Sequence, residues 1–245
     1  MFTLPLLLVF SLPAELPCLY AEPVRPRTVE RSVILADLKS QVPPHEGNRL
    51  SSFGDAITDA HESTHGIHHR LSPRGKQALY LLQKRYVVLP IPKMKLADVQ
   101  AFVPEKLRGH RFDTYVVKQS TTRWEILNGQ MTLVASWNDN PLYLMNEATS
   151  YNNGAEVGLE LAGLGIYGKV RNDLLLAPLE MAVYVAAMAT AIKKHDPVFW
   201  KEQTFFRRVL THEIQRGFDL YVKGQKIEWF KWENTLLCDL RRKEC

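Results

Sequence analysis

Residues 59 to 72, Asp-Ala-His-Glu-Ser-Thr-His-Gly-Ile-His-His-Arg-Leu-Ser, concentrate four histidines beside one glutamate. His61, Glu62 and His65 spell H-E-x-x-H. On a helix two residues four apart differ by about 40° around the axis, so His61 and His65 share one face. Their imidazoles can converge there on a single metal ion. Glu62, at the edge of that face, can take a proton from a water held by the ion. His68 lies near the same face, but about 10 Å of rise separates it from His61, too far for the three histidines to share one ion. A hydrolytic zinc site takes three protein ligands and keeps a fourth position open, so the third ligand must come from elsewhere in the chain. A metzincin would place a histidine at position 71, where this chain has Leu71.

The segment Leu-Met-Asn-Glu-Ala-Thr-Ser-Tyr-Asn-Asn-Gly, residues 144 to 154, contains Asn146-Glu147-Ala148-x-Ser150. Together with His61-Glu62-x-x-His65 this resembles the gluzincins, the zinc metallopeptidases of thermolysin type. In that family an N-E-A-x-S helix supplies the third ligand. The resemblance covers about ten residues and does not extend along the whole chain. It implies that His61, His65 and Glu147 hold one Zn²⁺ per chain, that Glu62 is the general base, and that the substrate is a peptide or protein. Rivals for the third ligand are Glu180, inside an apolar stretch, and Glu156 and Glu160, further along the Glu147 segment. The family pattern also carries an aspartate four residues after the glutamate, to orient a ligand histidine. Here Tyr151 stands in its place, which leaves Asp55, Asp59 or Asp139 for that task. Tyr151, one turn after Glu147, is a candidate to donate to an oxyanion, with His110, His195 and His212 as alternatives. Three further readings of the same residues are a zinc-binding domain without turnover, a structural or interaction protein whose histidine cluster holds no metal, and a metal-dependent amidase acting on a non-protein substrate.

The elements that position these residues can be read from pattern. Residues 51 to 71 read as a helix, stopped by Ser72-Pro73-Arg74-Gly75. Tyr86 to Pro92 is extended, because Pro90 and Pro92 exclude a helix. Residues 95 to 107 look helical. Asp113 to Gln119 and Met131 to Trp137 read as strands around an Asn128-Gly129 turn signal, and either could offer an edge to a substrate backbone. A helix begins near Leu142. Leu174 to Ile192 reads as a buried core helix and not as a membrane span, because Glu180 interrupts it. Pro197 to Tyr221 is a further helix or pair. The expected class is α+β and helix-rich, a zincin-like domain with a small sheet or hairpin and a buried C-terminal helical core.

Composition frames the rest. The chain has 245 residues, 46 % of them hydrophobic, and a formal net charge of +5. That length supports a full core. The basic residues are scattered and no nucleic-acid-binding motif stands out, so no nucleic-acid partner is expected. The run from Phe2 to Leu12 resembles the apolar part of a secretory signal, with a cut after Ala21. Residues 1 to 21 are therefore expected to be a signal peptide, 22 to 50 a leader, and 51 to 245 one metallopeptidase domain, secreted or periplasmic. With Cys18 removed, Cys238 and Cys245 could pair.

Overall fold

The computed structural model describes residues 32–42, 56–107, 124–127, 130–133, 137–165 and 176–227. The helices are α1 (Val33–Gln41), α2 (Ala56–Leu71), α3 (Tyr143–Gly163), α4 (Leu176–His195), α5 (Pro197–Glu202) and α6 (Thr204–Gly224). Two antiparallel hairpins accompany them. One pairs β1 (Lys76–Tyr80) with β2 (Tyr86–Pro90), and the other pairs β3 (Trp124–Leu127) with β4 (Gln130–Leu133). Short 3-10 turns at Leu96–Phe102, Glu105–Leu107 and Trp137–Asp139 connect them. The molecule is helix-rich α+β, as the pattern predicts.

The main core forms where α3, α4 and α6 meet. Leu144, Met145 and Ala148 of α3 pack with Met181, Tyr184 and Met188 of α4 and with Phe206 and Leu210 of α6. Leu79 and Leu89 of the first hairpin close the cluster. Each Leu, Met or Phe among these side chains, buried from water, contributes roughly 1.5–3 kcal/mol. Among the described residues α4 is the helix long and apolar enough to cross a bilayer. Most of it lies inside this core, as expected of a core helix. The helix axes approach closely at two glycines. A Cβ on Gly217 of α6 would stand 2.7 Å from the carbonyl oxygen of Pro178 on α4.

A second cluster sits under α1. Leu35 and Leu38 pack on Ala60 and Ile67 of α2, on Tyr80 and Leu82, and on Val157 and Leu161 of α3. The N-terminus of α1 is capped twice. Ser32 Oγ accepts from the Leu35 amide at 2.9 Å and donates to Glu160 Oε2 at 2.6 Å. Glu160 also accepts the amides of Val33 and Ile34 at 3.0 and 3.2 Å. A carboxylate is favourable at this positive end of the helix dipole. Residues 33–41, which sequence reads as part of a leader, are thus built into the packing, and Lys39 pairs with the buried Asp59 of α2 at 2.9 Å.

The turn between β1 and β2 is strained. Leu82, Gln83 and Lys84 have φ of 66°, 53° and 59°. Three consecutive left-handed residues other than glycine each cost about 1–2 kcal/mol. The compensation comes from α1 and β1. Asp37 Oδ2 accepts the Gln83 amide at 2.7 Å and the Tyr80 hydroxyl at 2.9 Å, and the same hydroxyl accepts the Lys84 amide at 2.9 Å. Burial first, then Asp37, pushes the Tyr80 phenol up to about 12.

Three readings shift in detail. The strand that pairs with Gln130–Leu133 is Trp124–Leu127, with Leu127 opposite Gln130. Asp113 to Gln119 lies outside the described residues, as do the proposed signal segment, Cys238 and Cys245. The extension of a strand to Trp137 is corrected, because β4 ends at Leu133 and Trp137 opens a 3-10 turn. Residues 95 to 107 coil as 3-10 turns and not as an α-helix.

Candidate metal centre

Helix α2 stops where Ser72 turns the chain. Its hydroxyl donates to the His68 carbonyl at 2.7 Å and accepts the Ala78 amide at 2.8 Å, and Gly75 supplies the left-handed step into β1 at φ 73°. Helix α3 runs antiparallel to α2. His68 and His65 meet Asn146, His65 meets Ser150, and His61 meets Tyr151 and Gly154. Tyr143, Asn146, Glu147, Ser150 and Tyr151 recur at helical spacing, so one face of α3 is turned to the histidines.

The helix pair is locked from behind. Asn153 of α3 donates to Thr64 Oγ1 of α2 at 3.1 Å and to the Tyr80 carbonyl at 3.1 Å. Its own oxygen accepts from Arg216 of α6 at 2.6 Å. The same guanidinium donates to Glu156 at 2.7 Å and lies 3.5 Å from the buried Glu213. This network fixes the rotation of α2 against α3, and therefore the direction of the histidine face.

His61, His65 and Glu147 form one group of potential ligands. His61 Nε2 and His65 Nε2 are 3.0 Å apart. Glu147 Oε2 lies 3.7 Å from the first and 3.5 Å from the second. A tetrahedral ion with bonds of about 2.1 Å spaces its ligand atoms about 3.4 Å apart, so the triangle has the right size. Glu147 is buried, and its Oε2 makes no hydrogen bond among the described residues. An anionic oxygen left in that condition is costly unless a cation or proton answers it. Its other oxygen, Oε1, accepts from the Tyr143 hydroxyl one turn earlier. The two oxygens therefore have separate tasks.

The electrostatics agree. Burial on its own would push Glu147 up, but the imidazole of His65, then that of His61 and the Tyr143 hydroxyl, hold it below the usual carboxylate range. Burial on its own would push His65 down, but Glu147, aided by Glu62 and Asn146, carries it above its ordinary value. For His68 burial outweighs the Asn146 contact and the attraction of Glu147. Its complete burial lowers it to about 3, so it is neutral.

The hydrogen-bond partners of the two histidines differ from expectation. Asp59 faces Lys39, and Asp139 is exposed and paired with Lys95, so neither orients a ligand histidine. Asp55 lies outside the described residues. Asn146 takes the role, with its Oδ1 2.6 Å from His65 Nδ1. The signal was present in the Asn-Glu pair itself, since a residue adjacent to Glu147 on α3 can reach a histidine on α2. Tyr143 and the Asn146 contact to His68 had no such signal.

The other candidates are placed elsewhere. Glu180 is buried and accepts from Tyr184. Glu156 pairs with Arg216 and Glu160 caps α1. His195 packs on Phe102, and His212 is exposed beside Glu213. His110 lies outside the described residues. Glu62 is exposed next to the group, and the Tyr151 ring stands edge-on to His61 with centroids 4.3 Å apart. These residues add up to a site able to hold a metal ion, with an exposed carboxylate and a phenol at its border. No protein-family model matches the chain, and neither does any curated protein or any solved structure.

Proposed function

We propose that this chain is a zinc-dependent metallopeptidase with a zincin-like domain, exported by the signal-like segment at its N-terminus. The observation that carries the reading is the triangle of His61 Nε2, His65 Nε2 and Glu147 Oε2, with sides of 3.0, 3.5 and 3.7 Å. Two neutral imidazoles and one carboxylate are the donor set of catalytic zinc in peptidases, and His and carboxylate donors at this spacing suit Zn²⁺. Bound zinc would supply a Lewis acid that makes a water acidic enough to lose its proton near neutral pH.

The chain's own residues perform the remaining work. Glu62, exposed beside His61, accepts the proton as the water attacks the peptide carbonyl, then returns it to the leaving amine. Tyr151 donates its hydroxyl to the carbonyl oxygen as negative charge develops there. Asn146 and Tyr143 hold His65 and Glu147 in place.

The test is elemental analysis of untagged full-length protein alongside Glu147→Ala, Glu180→Ala and Glu62→Gln. The expected result is one zinc per chain, lost in Glu147→Ala alone, with peptide hydrolysis lost in Glu62→Gln while its metal remains. Zinc without hydrolysis of any peptide in a library would leave a non-catalytic metal domain. Absence of zinc in the wild type, even after zinc is supplied, would end the metal reading.

A further inference from the structure

Among the described residues His68 is not one of the candidate metal ligands, yet it is fully buried beside them. Its Nδ1 is 2.9 Å from Asn146 Oδ1, the same oxygen that lies 2.6 Å from His65 Nδ1. A carboxamide oxygen only accepts, and its two lone pairs match two N–H donors. If the carboxamide were turned over, its NH₂ would face both rings and each Nδ1 would have to accept. The proton of His65 would then sit on Nε2, which points at His61 Nε2 3.0 Å away, and that nitrogen could not bind a metal.

His68 decides between the two orientations. Its Nε2 is buried and has no hydrogen-bond partner among the described residues. An imidazole in that setting keeps the bare lone pair at the unpartnered nitrogen and the proton at the partnered one, because a buried N–H without an acceptor is the costlier orphan. With the proton on His68 Nδ1, Asn146 must offer its oxygen. His65 then carries its proton on Nδ1 as well. Ser150 Oγ, 3.3 Å from His65 Nδ1, accepts or donates with equal ease and does not choose.

We propose that His68 is a positioning residue, which by donating to Asn146 Oδ1 fixes the carboxamide so that His65 presents a bare Nε2 to the metal. The inference rests on the metal-site reading above. It assigns this otherwise unused histidine the task of setting the tautomer of a ligand through a shared acceptor.

The experiment compares wild type, His68→Leu and His68→Asn as full-length, metal-free protein. The asparagine carries an N–H donor near the place of Nδ1. Zinc affinity is read by competition with a chromophoric chelator, and the His65 tautomer by long-range proton–nitrogen NMR without metal, at a pH where the ring is neutral. The expected result is an Nδ1–H tautomer for His65 in the wild type. His68→Leu should mix the tautomers and weaken zinc binding by about 10- to 100-fold, and His68→Asn should restore most of both. In an Asn146→Asp background the side chain offers an oxygen on either side, so adding His68→Leu should cost little further affinity. Equal zinc affinity and one His65 tautomer in His68→Leu would overturn the proposal. So would equal losses in the leucine and asparagine variants, which would mark a packing role alone. A wild type that takes up no zinc would instead overturn the metal reading, and this inference with it.

Discussion

Gly154 of α3 leaves room for the backbone of His61's own helix: a Cβ on Gly154 would stand 3.0 Å from the Ile57 carbonyl oxygen and 3.7 Å from His61 Cβ. Two helices can approach this closely only where one lacks a side chain. Gly154→Ala gains about 1 kcal/mol of helix propensity, which the contact with Ile57 opposes. Gly154→Val has no such margin. It should push α2 outward, carry His61 away from Glu147, and weaken zinc binding more than it lowers the unfolding midpoint. Parallel chelator competition and thermal melts check this. A valine variant with wild-type zinc affinity would mean that the close approach is not what sets the ligand triangle.

Arg216 is the shared partner of Asn153, Glu156 and the buried Glu213. Arg216→Met leaves a buried carboxylate without its nearest cation and should cost about 3 kcal/mol or more in urea denaturation. Because Asn153 also holds Thr64 and the Tyr80 carbonyl, the same variant should increase hydrogen exchange in the middle of α2. Unchanged exchange there would separate the guanidinium network from the histidine helix.

Tyr143→Phe removes the donor to Glu147 Oε1 and nothing else in volume. The freed oxygen can swing toward the histidines. Zinc affinity should fall by roughly 10-fold with the fold intact, as for other residues that hold a metal ligand in place. A loss beyond about 100-fold would indicate that the phenol acts on the metal itself.

The buried His68 makes stability depend on pH in a defined direction. Its folded value is about 3 against an ordinary 6.5, so between those values the unfolded chain carries the proton and the native chain does not. Stability then rises with pH across this window. The contribution is complete above about 6.5 and is lost as pH falls through the window toward 3, amounting to a few kcal/mol on the order of one per pH unit. Urea midpoints measured from pH 7 to 4 should fall less steeply in His68→Leu than in wild type. Parallel slopes in the two proteins would show that this histidine is protonated in the native state.

Whatever rests on local geometry was legible in the order of the residues. His61 and His65 share a face because they are four residues apart in a helix, and the breaker Ser72-Pro73-Arg74-Gly75 ends that helix where expected. The two prolines made Tyr86 to Pro90 extended, and the run around Glu180 became the core helix α4. Asn146-Glu147 pointed to the segment that completes the ligand triangle, though only by its resemblance to a known pattern.

Everything that depends on which helix faces which was set by packing between the elements. Asp59 was a reasonable partner for a ligand histidine by sequence distance. In the fold it points to Lys39 on α1, because the α2 face bearing Asp59 and Ala60 is covered by that helix. Asn146 gains its role only because α3 runs antiparallel to α2, which brings it level with His65 and His68, 81 and 78 residues away along the chain. A side chain's hydrogen-bond partner is chosen by packing between elements, and the chain order of those elements carries no record of it.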